Sequence, residues 1–199
     1  MSGLGGSGVV AAKPTISTHL FLDPFDRADG ALGSNWSVNT NGFGSIQISG
    51  GLAVGSGCLN GGWASYVGGL THNADHYSEI DFAAGLSGDL GGVLVRFTDI
   101  NNFYVGRASR AGADTYELYK RVSGSYTLLG SLAETFPTEP FRLRAQGKGT
   151  ALKVQLWTGS AWVDKVTATD SSLATGTPGF FTQTVVGSVS YDNFATGNT

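Results

Sequence analysis

Apolar and polar residues alternate with a period of two over short runs, and clusters of Gly, Asn, Asp or Ser separate most of these runs. In Val93-Leu94-Val95-Arg96-Phe97 one face would carry Val93, Val95 and Phe97, and the other Leu94 and Arg96. The same rhythm predicts strands at 20–25, 45–49, 51–55, 63–67, 77–84, 91–97, 102–109, 114–121, 125–131, 140–147, 151–157, 161–168, 178–183 and 187–195. Half-buried strands at hairpin intervals predict two packed antiparallel sheets. Residues 116–129 read as a hairpin turning at Ser123-Gly124, and residues 154–163 as another turning at Thr158-Gly159-Ser160. No run shows helical spacing with caps at both ends. One helical turn fits Ser171–Ala174 as a connector, capped by Asp170 or Ser171 and ended by Gly176.

Composition narrows the class. With 199 residues, 41% hydrophobic and 11% aromatic, the chain can bury a sizeable core, and one compact domain is expected. Only 14% of residues are charged and 31 are glycine, the profile of many short strands joined by tight turns. A formal net charge of -3 without any lysine or arginine run gives no footprint for a phosphate backbone, so no nucleic-acid partner is expected. No apolar stretch approaches the roughly 18 to 20 residues that cross a bilayer, and the amino terminus shows no basic segment followed by an apolar one; neither membrane insertion nor an ordinary secretory signal is expected. Cys58 is the one cysteine, which excludes an internal disulfide and a cysteine-based zinc site within one chain. It reads as a small buried hydrophobe.

Residues 1–19 differ from the rest, being Gly-rich at first and then running through Val9-Val10-Ala11-Ala12-Lys13-Pro14 without a turn-strand rhythm. They read either as a tail with too little apolar surface to order, or as an extended arm that docks on a sibling subunit through Val9, Val10 and Ile16. Residues 20–199 form the expected sandwich domain.

Three segments carry a family resemblance: Asp23-Pro24-Phe25-Asp26-Arg27-Ala28-Asp29-Gly30-Ala31-Leu32-Gly33-Ser34-Asn35-Trp36 near the start, Tyr191-Asp192-Asn193-Phe194 near the end, and the central Gly92–Tyr104. Together they resemble laminin-G-like, concanavalin A-like jelly-roll domains, a form found in secreted bacterial proteins and in tail or virion proteins of bacteriophages. The resemblance implies an all-β fold, a two-sheet antiparallel jelly-roll sandwich with an extended N-terminal arm, whose first and last strands lie side by side. It also implies a structural calcium near Asp23, Asp26, Asp29 and Asp192, helped by turn carbonyls of Arg27 or Gly30. The plainer alternative is that Asp26 and Asp29 cap turns while Asp192 pairs with Arg27. The function it implies is that of a non-catalytic virion protein of decoration or minor tail type, a homo-oligomer that docks on other virion proteins or sibling subunits and touches cell-surface glycans. The alternative is a free, extracellular bacterial carbohydrate-binding module or lectin. A glycoside hydrolase ranks third.

Candidate chemistry is sparse. Glu79 and Asp81 share a strand face, as in laminarinase-like glycosidases, but the second glutamate of that pattern would fall near Ala83 or Ala84, so the acid/base partner is missing and no enzyme is expected. His72 and His76 with Asp75 read as a polar surface loop. The remaining candidate is a sugar-binding face, where exposed aromatics stack on C–H patches and planar polar groups bond hydroxyls. Arg96, Tyr104, Glu117, Tyr119 and Arg121 would supply it if Val93, Val95, Phe103, Val105, Tyr116 and Leu118 face inward, although Arg107 breaks that register. Trp63 and Tyr66 would extend it, while Trp36 and Trp157 are expected in the core.

Overall fold

The structure, a computed structural model, describes residues 19–199, so the proposed arm anchors Val9, Val10 and Ile16 lie outside the described residues. Fifteen strands, numbered in chain order, form two sheets in which every pairing is antiparallel. Sheet A runs β13 (Trp162–Thr169), β12 (Ala151–Trp157), β11 (Phe141–Lys148), β6 (His76–Ala84), β15 (Ser188–Asn198), β4 (Leu52–Ser56), β3 (Ser45–Ser49), with β1 (Phe21–Asp23) paired to β15 off this path. Sheet B runs β10 (Ser125–Ala133), β9 (Thr115–Val122), β8 (Asn102–Ser109), β7 (Leu90–Asp99), β14 (Thr177–Gln183), β5 (Gly62–Tyr66), β2 (Trp36–Asn39). The inward faces enclose a core that includes Trp36, Ile80, Phe82, Val93, Val95, Tyr104, Leu118, Leu143, Phe180 and Phe194. Gly106 faces inward on β8, where a Cβ would come within 2.9 Å of Val154, so glycine lets sheet A approach there.

The two ends of the sandwich meet as the resemblance implies, with Phe21 opposite Thr196 and Asp23 opposite Phe194. Asp23 then closes the clasp. Its carboxylate accepts both terminal Arg27 nitrogens at 2.7 and 2.9 Å, the Trp36 indole N–H at 2.7 Å and the Phe25 amide at 2.9 Å. Burial alone would raise its pKa, but these bonds outweigh burial and hold it below the usual carboxylate range. Phe25 sits at φ 56, which ends β1 two residues earlier than the alternation predicts.

Several expectations fail for identifiable reasons. Residues 171–174 form no helical turn, because side chains take their amides instead: the Ser172 N–H goes to Asp170 Oδ1 at 2.8 Å and the Leu173 N–H to the Tyr104 hydroxyl at 3.0 Å. Edge strand β2 escaped the pattern because three of its four residues are exposed. His76 is a buried residue of β6 and not part of a surface loop. The hairpin turn at Ser123-Gly124 forms as expected, with φ 49 and 83, the left-handed pair that matches strand twist.

Candidate functional site

The outward face of sheet B holds a surface groove. Its volume is about 630 Å³, and it is lined by Ser37 and Asn39 of β2, Trp63 and Ser65 of β5, and Phe97 and Asp99 of β7, among others. Its floor belongs to a second apolar cluster, separate from the core, made of Trp63, Leu94, Phe97, Phe103, Val105 and Phe181. Strand register explains the alignment: Trp63 pairs with Phe181, Leu94 with Val105, and Val105 with Tyr119. Rings pack in sequence across the sheet, Phe181 to Trp63 at 5.8 Å, Trp63 to Phe103 at 6.2 Å and Phe103 to Phe97 at 5.8 Å. The Trp63 indole nitrogen is buried with no hydrogen-bond partner among the described residues. The rim is polar.

Beside the groove the same face carries a patch of planar cations on aromatics. Arg107 lies 4.1 Å over the Tyr119 ring and donates to Glu117 at 2.7 Å. Arg121 lies 4.9 Å over Tyr126 and donates to the Gly124 carbonyl at 3.1 Å, which fixes it to the β9–β10 turn. These contacts hold flat, polar-edged surfaces in place without a hydrophobic cover.

The sequence-predicted sugar face is thus only partly assembled. Glu117, Tyr119 and Arg121 come together on the outward face, with the Trp63 ring beneath Arg121. Tyr104 does not: β8 sits in the opposite register from the one assumed, so Phe103, Val105 and Arg107 point outward while Tyr104 is fully buried, its hydroxyl donating to Asp170 at 2.6 Å. Burial first, and then that bond, raise the Tyr104 hydroxyl pKa to about 12. Tyr66 packs in the core against Phe21 at 4.4 Å, and Trp63 is 1% exposed, a floor rather than a stacking platform. Trp157, expected in the core, is partly exposed on sheet A.

Arg96 is the largest correction. It takes a left-handed conformation, φ 52, in a β-bulge that turns its side chain off the predicted face and puts Phe97 outward with Leu94. The guanidinium is 2% exposed and donates to the carbonyls of Ala74 at 3.0 Å, Leu173 at 3.0 Å and Gly149 at 2.7 Å. Arg96 ties three connecting segments to sheet B and is absent from any sugar face.

The expected calcium site is not formed by the four aspartates. Asp23 is consumed by the clasp, Asp29 accepts the Gly50 amide at 2.8 Å, and Arg27 pairs with Asp23 and not with Asp192. No group of three or more His, Cys, Asp or Glu side chains that could hold a metal occurs among the described residues. Glu79 is buried, not solvent-facing: Arg144 donates to it through both Nε, at 2.8 Å, and Nη2, while Arg142 grips Asp81 at 2.5 and 2.7 Å. Ala84 and the neighbouring Ala83 present only methyls where a second acid would be needed. Cys58 is buried as expected, and burial raises its thiol pKa, so it lacks the features of a reactive thiolate.

No protein-family model matches the sequence, and no curated protein matches it either. Solved structures do match in shape. The carbohydrate-binding module CBM66 from Bacillus subtilis superposes with a TM-score of 0.62 at 16% identity, covering 83% of this chain and 96% of that one. A Bacillus subtilis protein of unknown function with a galectin-like fold gives 0.64 at 15% identity, covering 90% and 96%. The GH43 protein BlXynB from Bacillus licheniformis gives 0.63 at 14% identity over 89% of this chain, which spans only 39% of that enzyme. The exoplasmic/lumenal domain of VIP36, in a Ca2+/Man3GlcNAc-bound form, gives 0.59 at 12% identity over 83% of this chain. The chain has the concanavalin-like jelly-roll fold.

Proposed function

We propose that this protein is a non-catalytic carbohydrate-binding module that takes a neutral saccharide in the groove on sheet B. The observation that carries this reading is the groove itself: an apolar floor around Trp63 and Phe97, with Ser37, Asn39, Thr98, Asp99 and Thr177 among the polar residues that line it. Apolar floor and polar rim suit a sugar ring, whose C–H face and hydroxyl edge have the same division. The neighbouring Arg107–Tyr119 and Arg121–Tyr126 pairs would extend the contact to a second residue of a chain. Carbohydrate binding in the printed names of two structural neighbours supports the class of ligand. The virion role has no such support, and the arm it leans on lies outside the described residues.

The test is binding of the full chain to immobilised xylohexaose, a xyloglucan oligosaccharide and Man3GlcNAc, with Asn39→Ala and the groove-filling Ser37→Trp as variants. Both positions are exposed, so the variants should fold normally. At least one glycan should bind, each variant should weaken it about tenfold, and the glycan should be recovered uncleaved. Binding untouched by both variants, or turnover of the oligosaccharide, would overturn the reading.

A further inference from the structure

The opposite face of the sandwich carries a second constellation that the groove does not use. On the outward side of sheet A, a cleft of about 380 Å³ runs between Pro137 and Pro140 on one wall and Trp157 on the other, with Asp81 and Arg142 on its floor. The floor is rigid: Arg142 donates to both Asp81 oxygens, and Asn193 Nδ2 donates to Asp81 Oδ2 at 3.0 Å. Arg142 keeps a donor in reserve: among the described residues its Nη1 meets only Glu79 Oε1, at 3.9 Å, beyond hydrogen-bond reach, and the side chain is 32% exposed. Asp81 Oδ1 accepts a single bond, which leaves acceptor capacity beside that donor.

The aromatic wall is equally fixed. Trp157 packs on Trp162 at 5.4 Å, Arg144 lies 3.9 Å over the Trp162 ring, and the other side of the stack is Tyr77, 4.1 Å from the same guanidinium. Arg144 is itself held by Glu79. A partly exposed indole packed against a second ring, lining the same cleft as a donor and an acceptor, is the pairing a pyranose or furanose ring needs. Charge argues for a neutral ligand, since the carboxylates of Glu79, Asp81 and Asp192 face the guanidiniums of Arg142 and Arg144, so an anion gains nothing there.

We propose that sheet A bears a second saccharide-binding site, with Trp157 as the stacking surface and Arg142 and Asp81 as the hydroxyl-bonding pair. It does not depend on the groove of sheet B. With both sites filled, one molecule would bridge two glycan chains, or two stretches of one chain, from opposite faces, and gain avidity without a second copy.

Indole N–H signals separate the two sites in one experiment, because the chain has four tryptophans, 36, 63, 157 and 162. The 15N-labelled full chain is titrated with xylohexaose, a xyloglucan oligosaccharide and Man3GlcNAc, and the signals are assigned with Trp63→Phe, Trp157→Phe and Trp162→Phe, which leaves Trp36 by elimination. Trp36, bonded to Asp23 in the clasp, is the stationary reference. The Trp157 and Trp162 signals should move saturably with at least one of the three. Trp157→Ala should then weaken this site at least about tenfold while leaving any Trp63 response intact. Arg142→Lys, which keeps the charge but not the bidentate grip, should do the same and guards against a misfolded tryptophan variant. Movement of Trp63 alone overturns the second site and upholds the groove; movement of Trp157 and Trp162 alone does the reverse. Stationary signals throughout overturn both.

Discussion

The two outward faces of this sandwich are stabilised by different physics. On sheet B the strands β7, β8 and β14 turn Leu94, Phe103, Val105 and Phe181 outward and bury them to 1% exposure or less, so that face behaves as a second core. On sheet A the equivalent positions of β6 and β11 hold Glu79, Asp81, Arg142 and Arg144, joined as a ladder of ion pairs and cation–aromatic stacks. The first face gains from removal of apolar surface, a gain that ionic screening does not reduce. The second depends on partners being present, since an uncompensated buried charge is worse than none. The two proposed sites therefore rest on different foundations, one a groove in an apolar layer and the other a cleft in a charged one.

The sharpest way to break the contrast is on sheet B. Phe103 is fully buried on the outward side, between the rings of Trp63, Phe97 and Tyr126. Phe103→Ala should cost about 3 to 5 kcal/mol in urea unfolding, the range for an aromatic removed from a core. A loss under about 1 kcal/mol would mean that this face is an ordinary surface. Glu79→Ala is the counterpart on sheet A, and should cost about 3 kcal/mol because it strands Arg144 between two rings. Glu79→Gln should recover part of that, and the Phe103 variant has no comparable rescue.

Acid should not act first on the ionic face. His76 lies in the core side of β6, its Nδ1 bonded to the Asn73 carbonyl at 2.9 Å and its Nε2 accepting the Arg96 amide at 3.1 Å. Burial lowers its pKa to about 4, so the fold holds it neutral while the unfolded chain takes up a proton near pH 6.5. Stability is then complete above the unfolded value and falls as pH drops toward 4; from pH 7 to 5 the expected loss is about 2 kcal/mol. His76→Gln should flatten that slope, whatever it does to stability at pH 7. On sheet A, Lys153 holds the Asp164 carboxyl below the usual range, so this pair keeps its charge through the same window. A slope unchanged in the variant would remove His76 as its cause.

How much of this was readable from the chain depends on which link is asked about. Period-two alternation located β3, β8 and β12 to the residue, and the terminal motifs implied the β1–β15 pairing, because local rules suffice there. It failed on facing, since both faces of sheet B are apolar and a strand such as Phe103-Tyr104-Val105 then has no polar side to declare its register. Arg107 was the available signal: it clashed with the assumed inward set, and reversing β8 resolves the clash. Arg96 had no such signal. Its burial rests on carbonyls from residues 74, 149 and 173, and no local window contains them. The sheet A cleft has no local signal for a related reason: Trp157 in an alternating strand reads as core until its partner Trp162 is seen to share the outward side.

The smallest effect probes where the ionic ladder of sheet A stops contributing. At its outer end Lys153 donates to Asp164 at 2.7 Å, and both side chains are 38% exposed. Solvent and salt screen such a pair, and holding a long lysine in one rotamer offsets most of the attraction. Lys153→Ala should therefore shift stability by no more than about 0.5 kcal/mol, and the shift should vanish in molar salt. The Glu79 variant should keep most of its loss in the same salt, because its carboxylate is only 2% exposed. If instead the two losses were equal and equally screened, the ladder would be a uniform surface feature, and a preorganised cleft beneath Trp157 would lose its physical basis.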